Sequence, residues 1–357
     1  MFPDAMSTNP PDDTPPAHKR RPRYKGTHPK RFDERYKELR AQDYPDIVQH
    51  VTAKGRTPAG QHLPIMVDEV LGTLVPMPGD RVVDCTLGYG GHAERLLERI
   101  MPGGTLVGFD ADPLELPRTE ARLRALGYGE EAFVARRSNF AGLPGALMEL
   151  GWEEGADLVL ADLGVSSMQL DNPARGFTFG ADGPLDMRMN PNRGVSAAQW
   201  LERSSIAQVV EALGENADEP DAEPIAEALS RRRGYLTTTK DLASEIRAAL
   251  GSFRNPEDIE QSVRRVFQAL RIHVNDEFGA LDALLRGLPD ALKPGGRVAV
   301  MAFHSGEDRR VKKAFQLGER AAVYSAVAAE VIRASTQERF DNPRSRAAKL
   351  RWAKRAG

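Results

Sequence analysis

Four short apolar runs, separated by turns and segments of helical length, constrain this chain more than any other feature. They are Arg81-Val82-Val83-Asp84-Cys85-Thr86, Thr105-Leu106-Val107-Gly108-Phe109-Asp110, Ala132 to Arg136, and Asp157-Leu158-Val159-Leu160-Ala161-Asp162. Strands that are apolar throughout and separated by helices of about ten residues imply a parallel sheet with helices on both faces. Helices are expected over residues 67–74, where Pro76-Met77-Pro78-Gly79 provides a stop, and over residues 92–100.

The alternation breaks after Asp162. Residues 165–195 read as a loop rich in Gly, Asp and Pro, and residues 196–275 as purely helical. Ser196-Ala197-Ala198-Gln199 has the form of a capping box, and Val263, Val266, Phe267, Leu270 and Val274 form one stripe. The α/β pattern then resumes with a helix carrying Phe278, Leu281, Leu284, Leu285 and Leu288. The turn Lys293-Pro294-Gly295-Gly296 and the apolar strand Arg297 to Phe303 follow. A sheet interrupted and later completed is one discontinuous domain, residues 61–172 and 277–357. Residues 173–276 are an all-helical insertion with a candidate role in substrate recognition. Residues 1–60 are Pro-rich, carry the run His18-Lys19-Arg20-Arg21-Pro22-Arg23, and read as a disordered basic extension.

The formal net charge of −2 conceals a division along the chain. Residues 1–60 hold twelve Lys and Arg against eight Asp and Glu, and residues 331–357 hold eight against two, so the body between them is acidic. Basic ends suit a polyanionic partner, and equally serve to keep a chain in solution. One cysteine, Cys85, excludes a disulfide framework within the chain. No run approaches the roughly 18–20 apolar residues needed to span a bilayer, so a soluble cytoplasmic protein is expected. The seven histidines show no metal-ligand spacing.

Three strand ends carry the candidate chemistry. The turn Asp84 to His92 holds Gly88, Gly90 and Gly91 at the carboxyl edge of the first strand, and Asp110 closes the second. Glycines allow close approach of a ligand, and a strand-end carboxylate suits a ribose, although a plain tight turn with a solvated Asp is the simpler alternative. The spacing is neither G-x-G-x-x-G nor a P-loop. S-adenosylmethionine fits better, because it lacks phosphates and its cationic sulfonium and amino groups suit Asp84, Asp110 and Asp162. Ser166, Ser167 and Gln169 after Asp162 can contact a ligand or cap a helix. The segment Arg175 to Met189, with Phe177 and Phe179, reads either as a lid over a flipped base or as a loop docking the insertion. His304, in Phe303-His304-Ser305-Gly306-Glu307, orients a substrate or forms a structural pair with an acid.

These residues occur in motifs that resemble the MraW or RsmH family, bacterial methyltransferases acting on N4 of a cytidine in small-subunit ribosomal RNA. The resemblance is carried by His62 to Met66, Asp84 to His92, Gly108 to Pro113, Asp162 to Asp171, Arg175 to Met189, Arg265 to Ile272, Val274 to Glu277, Phe303-His304-Ser305 and Asn342 to Arg346. It implies a class I, Rossmann-like fold with a helical insertion, and S-adenosylmethionine as cofactor. The implied cofactor contacts are Gly90, Gly91, His92, Asp110, Phe140, Asp162 and Gln169, with Phe140 against the adenine. The implied partner is small-subunit ribosomal RNA or the assembled small subunit, with the target in the decoding centre. Asp162, with His304, is expected to orient the cytosine amine. A DNA amino-methyltransferase would instead carry a D/N/S-P-P-Y turn where this chain has Asp162-Leu163-Gly164-Val165, and a noncatalytic RNA-binding protein would have lost the cofactor turn. Three departures from the family pattern stand out: the long N-terminus, the acidic stretch Gly214 to Pro220, and Gly306 in place of the usual Leu.

Overall fold

The computed structural model describes residues 64–357; the expected basic extension lies outside the described residues. Helix α1 (Val67–Leu74) leads into β1 (Arg81–Asp84), α2 (Gly91–Ile100), β2 (Thr105–Phe109), α3 (Leu116–Ala125), β3 (Phe133–Arg136), α4 (Leu143–Glu149) and β4 (Ala156–Asp162). After the short helix α5 (Ser167–Asp171) come the insertion helices α6 (Ala197–Arg203), α7 (Ile206–Ala217), α8 (Ala222–Arg231), α9 (Thr239–Leu250) and α10 (Pro256–Asn275). The chain returns through α11 (Glu277–Ala291), β5 (Leu292–Ala302), α12 (Ser305–Arg320), β6 (Tyr324–Val327), α13 (Thr336–Asp341) and β7 (Lys349–Arg355).

Seven strands form one sheet in the order β3-β2-β1-β4-β5-β7-β6. Its strands β1 to β5 are parallel, with Asp84 opposite Gly108 and Leu160, and Asp162 opposite Met301. Consecutive strand residues point to opposite faces, which is why these strands read as unbroken apolar runs. Val82, Leu106, Leu158 and Leu160 pack with α1, α2 and α3, while Val83, Val107, Val159 and Val300 pack with α4, α11 and α12. A third core, built from Leu213, Ile225, Leu242, Ile246, Val266 and Leu270, lies within the insertion helices.

Two features depart from the expected parallel sheet. Strand β7 is antiparallel to both β5 and β6, so the sheet is mixed. This strand was masked by its charge: Leu350 and Ala353 are buried in the cores on opposite faces of the sheet, while Lys349 and Arg351 pair with Asp308 on α12. The expected turn at residues 293–296 belongs to β5 itself, where the register against β4 shifts between Ala156 and Leu158. Gly295 takes φ 79° there, in the left-handed region that favours glycine.

Candidate methyltransferase active site

The carboxyl ends of β1, β2, β4 and β5 meet on one edge of the sheet, where the strand order reverses about β1, the usual position for a ligand in a doubly wound fold. A cavity of about 390 Å³ opens at this edge, large enough for a small-molecule ligand. The turn from Cys85 to His92 forms one wall, with Asp110, Phe140, Asp162 and Gln169 around it. Gly90 caps α2 at φ 80°, and a Cβ there would lie 2.9 Å from Thr119 Cγ2. At Gly91 a Cβ would sit 3.0 Å from Pro64 Cδ, a tight approach, while the positive φ and the close contact at Gly90 call for the bare backbone there.

Asp110 is held by the backbone: its Oδ2 accepts from Gly88 N–H at 3.1 Å and its Oδ1 from Asp112 N–H at 2.8 Å. Each oxygen keeps a further lone pair for a ligand hydroxyl. Burial, partly opposed by these bonds, pushes its pKa up to about 6. Phe140, half-buried in a one-turn 3-10 segment capped by Asn139, adds an aromatic wall.

Asp162 ends β4, with its backbone N–H bonded to Thr86 Oγ1 at 2.6 Å. Its Oδ1 is buried with no partner among the described residues, a costly arrangement unless a ligand supplies one. Burial, with the charge of Glu307 adding to it, raises the Asp162 pKa to about 7. Oδ2 lies 3.6 Å from Nδ1 of His92. The other ring nitrogen of His92 meets the Ile65 carbonyl at 2.8 Å, and a carbonyl only accepts, so Nε2 carries the proton. A neutral His92 therefore presents a bare Nδ1 to Asp162. Burial lowers the His92 pKa and favours that neutral form.

Other candidates have different places. Asp84 does not line the cavity; it is 1% exposed and accepts from Thr86 N–H, and burial pushes it up to about 6. Ser166 and Gln169 form a reciprocal capping box on α5, and the Gln169 amide also donates to Asp112 at 2.9 Å. Gln169 thus lines the cavity with its polar atoms already engaged. Phe177 is buried in the insertion core, and Phe179 packs edge-on against Phe267 at 5.0 Å. Of the two readings of residues 175–189, the structure favours the docking loop over the aromatic lid. Arg175 pegs that loop to the sheet, donating to Asp112 at 2.7 Å and to the carbonyls of Arg188 and Met189.

His304 stands behind the cavity wall. It caps α12, with Nδ1 accepting from Glu307 N–H at 3.4 Å and Nε2 lying 3.2 Å from Glu307 Oε1. The residue that reaches the cavity is Glu307, whose Oε2 accepts from the backbone of Phe303 and His304. Burial would raise the Glu307 pKa, but His304 and Arg271 outweigh it and hold the carboxyl below its usual range. Arg271 and Glu277, joined fork to fork at 2.8 and 2.9 Å, complete this far wall with Asn275 and Phe278. The sequence reading missed these wall residues as a group because they come from α10, α11 and α12, which only the tertiary fold brings together. Their motifs, Arg265 to Ile272 and Val274 to Glu277, were the available signal.

A family model described as the MraW methylase family matches residues 59–356. The chain belongs to the MraW methylase family. It is accordingly a methyltransferase. Among its relatives, "Ribosomal RNA small subunit methyltransferase H 1" of Lachnoclostridium phytofermentans is 46% identical, over 98% of this chain and 97% of that one. "Ribosomal RNA small subunit methyltransferase H 2" of Alkaliphilus metalliredigens is 49% identical, over 94% and 97%. "Ribosomal RNA small subunit methyltransferase H" of Rubrobacter xylanophilus is 40% identical, over 83% of this methylase and 96% of its own length. A match over 98% of the chain runs through most of residues 1–60. The N-terminal stretch is thus shared with at least one relative, while the family model begins only at residue 59, in keeping with an N-terminus longer than the family pattern.

Proposed function

We propose that this S-adenosylmethionine-dependent methyltransferase of small-subunit ribosomal RNA methylates the exocyclic N4 of a cytidine in the decoding centre, acting in the cytoplasm. In this reading Gly90, Gly91, His92, Asp110, Phe140, Asp162 and Gln169 surround the cofactor. Residues 61–172 and 277–357 serve as the catalytic domain, and residues 173–276 as the substrate-recognition domain. The fit rests on the glycine cradle, the ribose-suited Asp110, and carboxylates at Asp110 and Asp162 that complement a cation.

When bound, S-adenosylmethionine supplies an electrophilic methyl group on a sulfonium. A cytosine amine is a weak nucleophile, because its lone pair is delocalised into the ring. An acceptor must therefore polarise an N–H while the amine is held in line, and orientation of this kind supplies about 7–11 kcal/mol of a barrier. The observation that carries the assignment is that Asp162 lines the cavity with a buried Oδ1 that has no partner among the described residues. Asp162 accepts the amine proton, and the bare Nδ1 of His92 lies beside its other oxygen to share it. His304 acts indirectly, by setting the position and charge of Glu307 on the opposite wall.

The test is incubation of the protein with S-adenosylmethionine and small subunits, or their free RNA, from cells lacking the modification. Nucleoside mass spectrometry should then find N4-methylcytidine. A methyl group on another atom, or none, overturns the proposal.

A further inference from the structure

The connection between β6 and β7 leaves the sheet at residue 333 and returns at residue 348, pinned by buried Ala334, Ser345 and Ala348. Within it, Phe340 on α13 is 77% exposed, the most exposed large apolar side chain among the described residues. Two contacts tie this excursion to the rim of the cavity. Glu338 Oε1 accepts from the backbone N–H of Met66, next to cavity-lining Pro64 and Ile65. Arg344, which itself lines the cavity, donates to Asp171 at 2.9 Å.

The surroundings of Phe340 are cationic and held in place. Arg339 precedes it, and Arg346 donates from Nε to the Arg339 carbonyl at 3.0 Å, which fixes the two arginines together. Both are exposed, and neither has a carboxylate within 4 Å among the described residues. Two carboxylates lie nearby: Glu338 is engaged with Met66, and Asp341 accepts from Gln337 at 2.8 Å. The other well-exposed aromatics differ, because Tyr235 and Phe253 each have an arginine over the ring, Arg232 at 5.4 Å and Arg254 at 5.7 Å. Phe340 has none among the described residues, so its face is open.

An exposed aromatic ring beside arginines that have no carboxylate partner among the described residues is the chemistry that holds single-stranded nucleic acid, the base stacking on the ring and the phosphates meeting the guanidinium groups. We propose that Phe340, with Arg339 and Arg346, is a stacking platform for a nucleotide of single-stranded RNA flanking the one that enters the cavity. The platform rests on the reading of this protein as an RNA methyltransferase and names where its substrate is gripped outside the cavity. A target base can enter a cavity only when its strand is splayed, and gripping a neighbouring nucleotide at the rim stabilises that state.

The test compares wild type with Phe340→Ala, Phe340→Trp and Arg339→Gln/Arg346→Gln, methylating small subunits and protein-free ribosomal RNA over a range of salt. Phe340→Ala should raise KM for RNA about tenfold with kcat unchanged, equivalent to about 1.4 kcal/mol. Phe340→Trp should restore it, which a purely structural role for Phe340 would not produce. The double arginine variant should flatten the dependence of log KM on log salt by about one to two units, as expected for two lost phosphate contacts. Cofactor affinity, measured by calorimetry, should stay within twofold for every variant. If KM and the salt slope are unchanged on both substrates, the platform is wrong while the methyltransferase reading stands. An effect on assembled subunits but not on free RNA makes the patch a protein contact and also overturns it. Failure of the wild type to form N4-methylcytidine strikes the underlying reading instead.

Discussion

Replacing Arg175 by Met should unfasten the insertion from the cofactor side of the sheet. Asp112 is 0% exposed and Arg175 8% exposed, with their charges 2.7 Å apart. At an effective dielectric of about 20 that separation corresponds to about 6 kcal/mol of attraction, much of it offset by the desolvation of both ions. Removing only the arginine leaves the buried carboxylate with the Gln169 amide and the Leu114 N–H as its remaining donors. Loss of one partner of a buried pair costs about 3–5 kcal/mol. At roughly 2–4 °C per kcal/mol, the melting temperature should fall by about 10 °C, read by calorimetry and by the urea midpoint. Combining it with Asp112→Asn should recover at least half of the loss, because no charge then remains buried. A loss under about 1 kcal/mol, or additive effects in the double variant, would refute the account of this peg.

Asp162→Asn should reduce the rate of methylation at saturating cofactor by about a hundredfold or more, since it removes the acceptor and keeps the shape; full methylation would remove Asp162 from the role. Because the Asp162 pKa is raised to about 7, its carboxylate form is lost as pH falls through 7. In kcat/KM for the cofactor, which reports the free enzyme, activity should fall about tenfold per unit below that pH, and a flat profile down to pH 5.5 contradicts this. Gly306→Ala should cost about 1–3 kcal/mol, read from the urea midpoint, because its Cβ would lie 2.7 Å from Phe278 Cζ. That ring is also stacked beneath Arg310 at 3.7 Å and lines the cavity, so KM for RNA should change as well. Removal of residues 1–50 should weaken RNA binding and flatten its salt dependence, and unchanged binding in filter assays makes that segment a bystander.

The parallel part of the sheet was legible because strands buried on both faces leave continuous apolar runs, and β1, β2 and β4 lie within a residue or two of where Arg81, Thr105 and Asp157 placed them. Strand β7 was not, because four of its seven residues are Lys or Arg, and it is the pairing with β5 and β6, with Asp308 taking up its charge, that makes it a strand. The glycine turn and Asp110 were located by their spacing at two strand ends, and the structure brings both to one cavity. Glu307 was passed over for His304, since a histidine at a strand end looks like chemistry, whereas only the capping geometry of α12 shows which of the two faces the cavity. The acidic stretch at residues 214–220 departs from the family pattern. In the structure Glu219 is buried and accepts from Ser262, while Asp218 forms an exposed pair with Arg309.

The central claim is that this cavity delivers a methyl group to N4 of a decoding-centre cytidine. Mass spectrometry of small-subunit ribosomal RNA from cells lacking the gene tests it most directly. The account predicts loss of N4-methylcytidine from the decoding centre and its return on expression of the wild-type chain, but not of Asp162→Asn. Unchanged N4-methylcytidine in the deleted strain would contradict it.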